Sequence, residues 1–518
     1  MKYLYALGLF CTIILWSSCR NDFETVSSTG NLEFSTDTVY LDTIFSNIGS
    51  STYTLKVYNR SDEDINIPSV RLGEGESSNY RLNVDGVPGK EFQDVRILAE
   101  DSIFVFVETT ADIETLTTEG LQFLYTDQIQ FDTGGNQQNV ELVTLVQDAV
   151  FLFPEQFGDG TTETLVLGQD EEGNDIEIEG FFLDDDELTF TNEKPYVIYG
   201  YAAVPPNRTL TVEAGARVHF HAASGILVAA NASMQCLGAT SNDPEALENE
   251  IIFEGDRLEP EFSDVPGQWG TIWLTAGSTD HVFRNTTIKN GVIGLRMDSN
   301  DGDLTLEMEN VQLYNHAVYG LYALTGNVYG ENVVVNNCGQ SSLACLFGGT
   351  YEFNHCTFAN YWTNSFRSLP AVQLGNVIQT GENSFETMPL NIAINNSIIY
   401  GNEQREIGYD NSADAAFNFN ISNTLIRFED PSGDFDDDPL YDFSDAALYN
   451  NIVRNQDPVF FAPEENELSI ETGTSAADGI ADPTVSTQLN TDITGTPRDG
   501  TNPDAGAYES VEFPDMEN

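Results

Sequence analysis

The side chains with the means to perform chemistry are few and far apart in the chain. His219 and His221 flank Phe220 at strand spacing, so both imidazoles would share one face and offer two nitrogens to a metal ion. No third ligand stands near them in the sequence, and no metal is expected. Lys289 and Arg427 are cations of the type that removes a proton from a uronate, yet several repeats separate them. The acidic runs Asp170-Glu-Glu-Gly-Asn-Asp175 and Asp184-Asp-Asp-Glu187 could supply some of the six to eight oxygens calcium takes. Neither has EF-hand spacing, so hairpin turns are expected, and no cofactor is called for, with calcium the one ion this chemistry would favour. Trp273, Tyr314 and Tyr400 should point outward from strands, where aromatic faces stack on sugar rings. These three are the candidate glycan-binding residues, and no catalytic residue is singled out.

These side chains would be positioned by a recurring phrase. Asn285-Thr-Thr-Ile288, Asn310-Val-Gln-Leu313, Asn332-Val-Val-Val335, His355-Cys-Thr-Phe358, Asn396-Ser-Ile-Ile399 and Asn423-Thr-Leu-Ile426 follow one another at steps of 25, 22, 23, 41 and 27 residues. A step in the low twenties with strand-like content suits one turn of a solenoid. Residues one and three past each anchor are small and then larger, which places them on one inward face. The anchor should sit at a bend, since asparagine tolerates left-handed geometry and its stacked amides can bond along the column. A second column, Asn290, Asn315, Asn337 and Asn360, should close the other end of each strand. The long step should hold an excursion from Tyr361 to Met388 or one degenerate coil. The fold class expected is all-β: a right-handed parallel β-helix preceded by a β-sandwich.

Composition narrows the partners. With 20 Lys and Arg against 83 Asp and Glu, the net charge is −63, while 40% of residues are hydrophobic. Such a chain folds but repels polyanions, so no nucleic acid is expected as a partner, and a membrane would be met through a lipid anchor alone. Cys236, Cys338, Cys345 and Cys356 fit no CxxC metal pair. Cys356 falls on an inward rung as a small hydrophobe, with bridges from Cys338 to Cys345 or Cys356 left open.

In chain order, Lys2 and the apolar run Leu4 to Trp16 form a secretory leader over 1–18, too short to span a bilayer. Ser17-Ser18-Cys19 resembles the processing site of bacterial lipoproteins, which implies acylation of Cys19. The following Arg20-Asn-Asp-Phe-Glu24 resembles the acidic export signal of Bacteroidota surface lipoproteins, which implies a tether over 19–31 at the outer membrane and the cell surface. Alternating runs such as Leu55/Val57 and Ile103/Val105/Val107 predict seven or so strands over 32–150, and Ser51–Arg60 resembles an immunoglobulin-like spacer. Residues 151–203 read as an acidic β linker or N-terminal cap. From 204 to 462, Leu210–Phe220, Gly225–Val228, Ile251–Phe253 and Gln268–Leu274 resemble the opening coils of the parallel β-helix family, pectate-lyase-like in fold. Thr496–Glu509 resembles the closing module of bacterial β-helix proteins, so 463–518 should cap the solenoid, with Arg498 paired to Asp504 or Glu509.

A fold of this kind carries lyases, hydrolases, adhesins and inert stalks alike. The Asn-Thr-Asp, Asp-Asp, His-Gly and Arg-x-Lys series of a polygalacturonase-like site is absent. The reading is therefore a surface lipoprotein that binds a polysaccharide or a surface protein without catalysis. Its rivals are a β-helix lyase or hydrolase and a passive rod.

Overall fold

Asparagine accepts a left-handed backbone that most side chains resist, and each Asn phrase turns a corner by using it. The computed structural model describes residues 25–117, 120–170, 172–381, 384–485 and 487–514; the leader, Cys11, Cys19 and the export signal lie outside them. Asn285, Asn310, Asn332, His355, Asn396 and Asn423 all have φ between 44° and 55°, and the series continues at Asn451 with φ 53°. The strand His281–Lys289 shows the result. Its Val282–Arg284 half pairs with Gln235–Leu237, whereas Thr286–Ile288 pairs with Ile251–Phe253, so one strand serves two walls. A third wall of ten strands, from Thr164–Gln169 to Ile407–Asp410, completes each coil. Apart from the antiparallel hairpin at its start, the walls pair in parallel, and the part of the chain after residue 148 is a three-walled parallel β-helix.

The inward columns fill the interior as the spacing requires. Ile288, Leu313 and Val335 are paired coil upon coil, then Val335 with Phe358, Phe358 with Ile399, and Ile399 with Ile426. All are fully buried, as are the smaller Val311, Val333, Cys356, Ser397 and Thr424. Each large member contributes about 2 kcal/mol from apolar burial. The four described cysteines, Cys236, Cys338, Cys345 and Cys356, are free and buried, which leaves the open bridges unformed. Asn290, Asn315 and Asn337 have positive φ as well. Asn360 departs from them: it ends the extended strand Thr357–Asn360, and its amide holds both the N–H and the carbonyl of Cys338.

The long step proves to be one complete coil with two insertions. Its third-wall strand Val372–Gly375 lies between a loop over 361–371 and a hairpin formed by Val377–Gly381 and Ser384–Thr387. Arg367 pins the loop, donating to Glu406 at 2.6 and 2.8 Å with both side chains buried. Parallel pairing also starts earlier than Val204. Val150–Leu152 pairs with Tyr196–Ile198, so the acidic stretch already forms rungs. Its acidic runs are turns: Asp170 accepts the N–H groups of Glu172 and Asn174, and Glu187 N–H bonds back to Asp184.

The ending differs from a cap. Residues after 463 lie along the flank of the β-helix, where Leu468 and Ala507 pack on Tyr314, Val334 and Ala359, and Ile470, Ala477 and Ala505 pack on Ile398 and Leu425. The end is closed instead by the acidic insertion after Ile426, whose Phe435, Leu440, Tyr441 and Phe443 pack against the last core residues. The insertion interleaves aromatic residues with its aspartates, and those rings cover the apolar core that an open coil would expose.

The described residues from 25 to 148 form a separate compact unit. It is a β-sandwich of a six-stranded and a five-stranded sheet around one core that includes Leu41, Val57, Val70, Val105 and Leu142. The strands exceed the seven or so expected because pieces such as Val26–Ser27 and Val87–Gly89 are too short to show alternation.

Candidate functional site

The three aromatic candidates are not brought together. Tyr314 is buried, and this corrects its assignment to an outward binding face: the C-terminal segment covers it, and its hydroxyl donates to Gln312 Oε1 at 2.6 Å. Burial also pushes its phenol well above the usual tyrosine range. Tyr400 is half-buried beside Ile398 and Leu425, with the Arg427 guanidinium 5.4 Å from its ring centroid. Trp273 stands on the third wall, half-buried. Its Nε1 donates to Asp298 at 2.7 Å, and Arg296 lies 3.9 Å over its ring while bonding the same carboxylate. A face occupied by a guanidinium is not free to stack on a sugar.

The asparagine ladder is structural and more elaborate than a simple column. Asn310 donates to Asn285 at 3.2 Å, and Asn332 donates to Asn310 at 2.9 Å. Next in line, the Asn332 carbonyl accepts from Arg498 at 2.8 Å. Arg498 also pairs with Glu509 at 3.0 Å, the second of its two expected partners. The column resumes with Asn396 bonded to the ring of His355 at 2.9 Å, and Asn423 donates to the Ile480 carbonyl. The amides thus join coils to each other and to the C-terminal segment.

The sequence-predicted His219, His221, Lys289 and Arg427 are each committed to partners. His219 lies beside Glu254 at 3.7 Å with its Nδ1 near the Gly255 carbonyl, and burial lowers its pKa. His221 bonds Asp256 at 2.7 Å and stacks on Tyr199. Lys289 pairs with Glu254 at 2.9 Å, and Arg427 donates to the Gly401 carbonyl. Among the described residues, no group of three or more His, Cys, Asp or Glu side chains could hold a metal ion.

A cavity of about 1030 Å³ opens where the acidic insertion closes the β-helix. Its floor is aromatic: Phe428 stacks on Tyr441 at 4.9 Å and meets Phe443 at 5.0 Å, and Phe435 meets Tyr441 at 4.6 Å. Hydrogen bonds between Asn455 and the backbone of Phe428 fix that floor to the last coil. Its rim is acidic. Asp430 accepts the N–H groups of Phe435 and Asp434 across a turn that needs the positive φ of Gly433, 71°. Asp438 accepts from Leu440 N–H at the start of the turn Pro439–Tyr441. Asp436 and Asp437 line the opening, are exposed, and make no side-chain hydrogen bond among the described residues.

Aromatic floor and carboxylate rim together suit a neutral polyhydroxylated ligand, with C–H faces on the rings and hydroxyls donating to the carboxylates. General acid catalysis asks for a carboxyl whose pKa is raised. Here Asp430 is held below the usual range by the Phe435 N–H, and Asp442 by the Ser444 hydroxyl and N–H. The alternation of Phe435, Tyr441 and Phe443 with aspartates is the signal for this site that the sequence carries.

No family model matches the sequence, and no curated protein matches it. Solved structures give loose likenesses. A family 123 glycoside hydrolase from Clostridium perfringens is 9% identical over 22% of this chain and 26% of its own, with a TM-score of 0.16, so the match spans about a quarter of that enzyme. The PapD-like domain 7 of human CEP192 is 10% identical over 25% of this chain and 94% of its own, with a TM-score of 0.15. The catalytic unit of a GH87 α-1,3-glucanase from Streptomyces thermodiastaticus is 10% identical over 72% of this chain and 79% of its own, with a TM-score of 0.23. The fold assignment rests on the strand register, not on these superpositions.

Proposed function

We propose that this chain is a noncatalytic glycan-binding protein that takes a neutral sugar chain in the cavity at the end of its β-helix. The observation that carries the reading is the floor of Phe428, Phe435, Tyr441 and Phe443 beneath the free rim carboxylates of Asp436 and Asp437. The leader and Ser-Ser-Cys19 support export and acyl anchoring at the outer membrane, with the sandwich as an immunoglobulin-like spacer. An anchored binder needs no turnover, in keeping with the Asp430 and Asp442 carboxyls held below the usual carboxylate range.

Affinity electrophoresis of the mature chain through gels containing neutral polysaccharides tests this. Retardation by at least one polymer, relieved in the Asp436→Asn/Asp437→Asn variant, is the expected result. Unretarded migration across the panel, or release of new reducing ends from any polymer, would overturn it.

A further inference from the structure

The sandwich carries a second surface that folding does not explain. Along Ser102–Thr109, Ile103, Val105 and Val107 point into the core, so Phe104 and Phe106 occupy positions where a solvent-facing strand face ordinarily has polar residues. They are 46% and 37% exposed, and their rings are nearly parallel, 15° apart with centroids at 6.1 Å. Lys56 is the cross-strand partner of Phe104. Its ammonium lies 5.3 Å from the Phe104 centroid and 5.2 Å from that of Tyr58. Among the described residues no carboxylate pairs with Lys56, although the chain has 83 acidic residues for 20 basic ones. Arg81, on the neighbouring strand Tyr80–Val84, is exposed but already paired with Glu108 at 3.8 Å, which leaves Lys56 as the cation of this face without a carboxylate.

We infer that Phe104, Phe106 and Lys56 form a binding site for a carboxylated sugar, a uronate unit within a polysaccharide. Two adjacent rings offer a platform for the C–H face of a pyranose. An ammonium with no carboxylate of its own supplies the counter-charge. A neutral sugar would leave that charge unused, while the strong negative field of the rest of the chain restricts anion binding to a place where a cation has no carboxylate partner. The site lies in the sandwich and stands independently of the β-helix cavity.

The full mature chain would be titrated calorimetrically with a β-1,4-linked glucuronate oligosaccharide and, in parallel, with the matching neutral cello-oligosaccharide. Binding of the uronate, weakened about tenfold by Lys56→Gln or by Phe104→Ala and reduced by added salt, is expected. Should Phe104→Ala fail to fold, Lys56→Gln decides alone, since that side chain buries no core. Absence of uronate binding, equal affinity for the neutral oligosaccharide, or full affinity in Lys56→Gln would overturn the assignment. So would capture of phosphatidylglycerol vesicles in place of the uronate.

Discussion

Replacing Asn332 by alanine tests how the amide ladder holds the C-terminal segment to the β-helix. Asn332 is fully buried with φ 54°, and its amide bonds Asn310, the Thr491 carbonyl and Arg498 at 2.9, 3.0 and 2.8 Å. A Cβ without a compensating amide costs about 1–2 kcal/mol in left-handed geometry. The two neutral bonds contribute about 1 kcal/mol each, and the bond from the guanidinium about 2 kcal/mol, since Arg498 stays buried without that acceptor. The expected destabilisation is about 5 kcal/mol. Asn310→Ala loses the same backbone tolerance and two neutral bonds, to Asn285 and from Asn332, and should cost about 3 kcal/mol. Urea unfolding followed by the fluorescence of Trp269, Trp273 and Trp362 reads both variants. A cycle with Arg498→Ala should return a coupling of about 2 kcal/mol for Asn332 and none for Asn310. Equal midpoints for the two asparagine variants would refute the reasoning, because Asn332 alone carries the guanidinium bond, the largest contribution in this comparison.

Two further outcomes follow from buried groups. Arg367→Met leaves Glu406 buried without its cation and should cost about 3–5 kcal/mol, whereas Arg367→Met/Glu406→Leu should recover part of that loss in the same urea assay. His281 and His316 are buried neutral, and burial lowers each from 6.5 to about 4. The unfolded chain binds their protons first, so stability is full above pH 6.5 and is lost as pH falls toward 4, by about 3 kcal/mol for each histidine. Melting temperature against pH should therefore drop through that window, and His316→Gln should flatten the drop.

Much of the fold is legible in the sequence because a solenoid repeats its solution. Asn285, Asn310, Asn332, Asn396 and Asn423 mark corners because few residues tolerate that backbone, and the small residues one place later and larger apolar residues three places later mark the wall behind each corner. The site was much less legible. Tyr314 carries the outward pattern of its strand, and no local signal tells that Leu468 and Ala507, far along the chain, will cover it. Trp273 also points outward, yet Arg296 and Asp298 on the next coil take up its ring and its Nε1. The cavity depends on an irregular insertion whose rings meet only after Asp430 and Asp438 have set its turns. Periodicity exposes what recurs, and this site occurs once.

The most direct measurement is a crystal structure of the mature chain with whichever oligosaccharide retards it most strongly. The account predicts an intact sugar chain lying over Tyr441 and Phe443, with hydroxyls donating to Asp436 and Asp437. An empty cavity with the sugar bound elsewhere, or a cleaved product within it, would contradict the account.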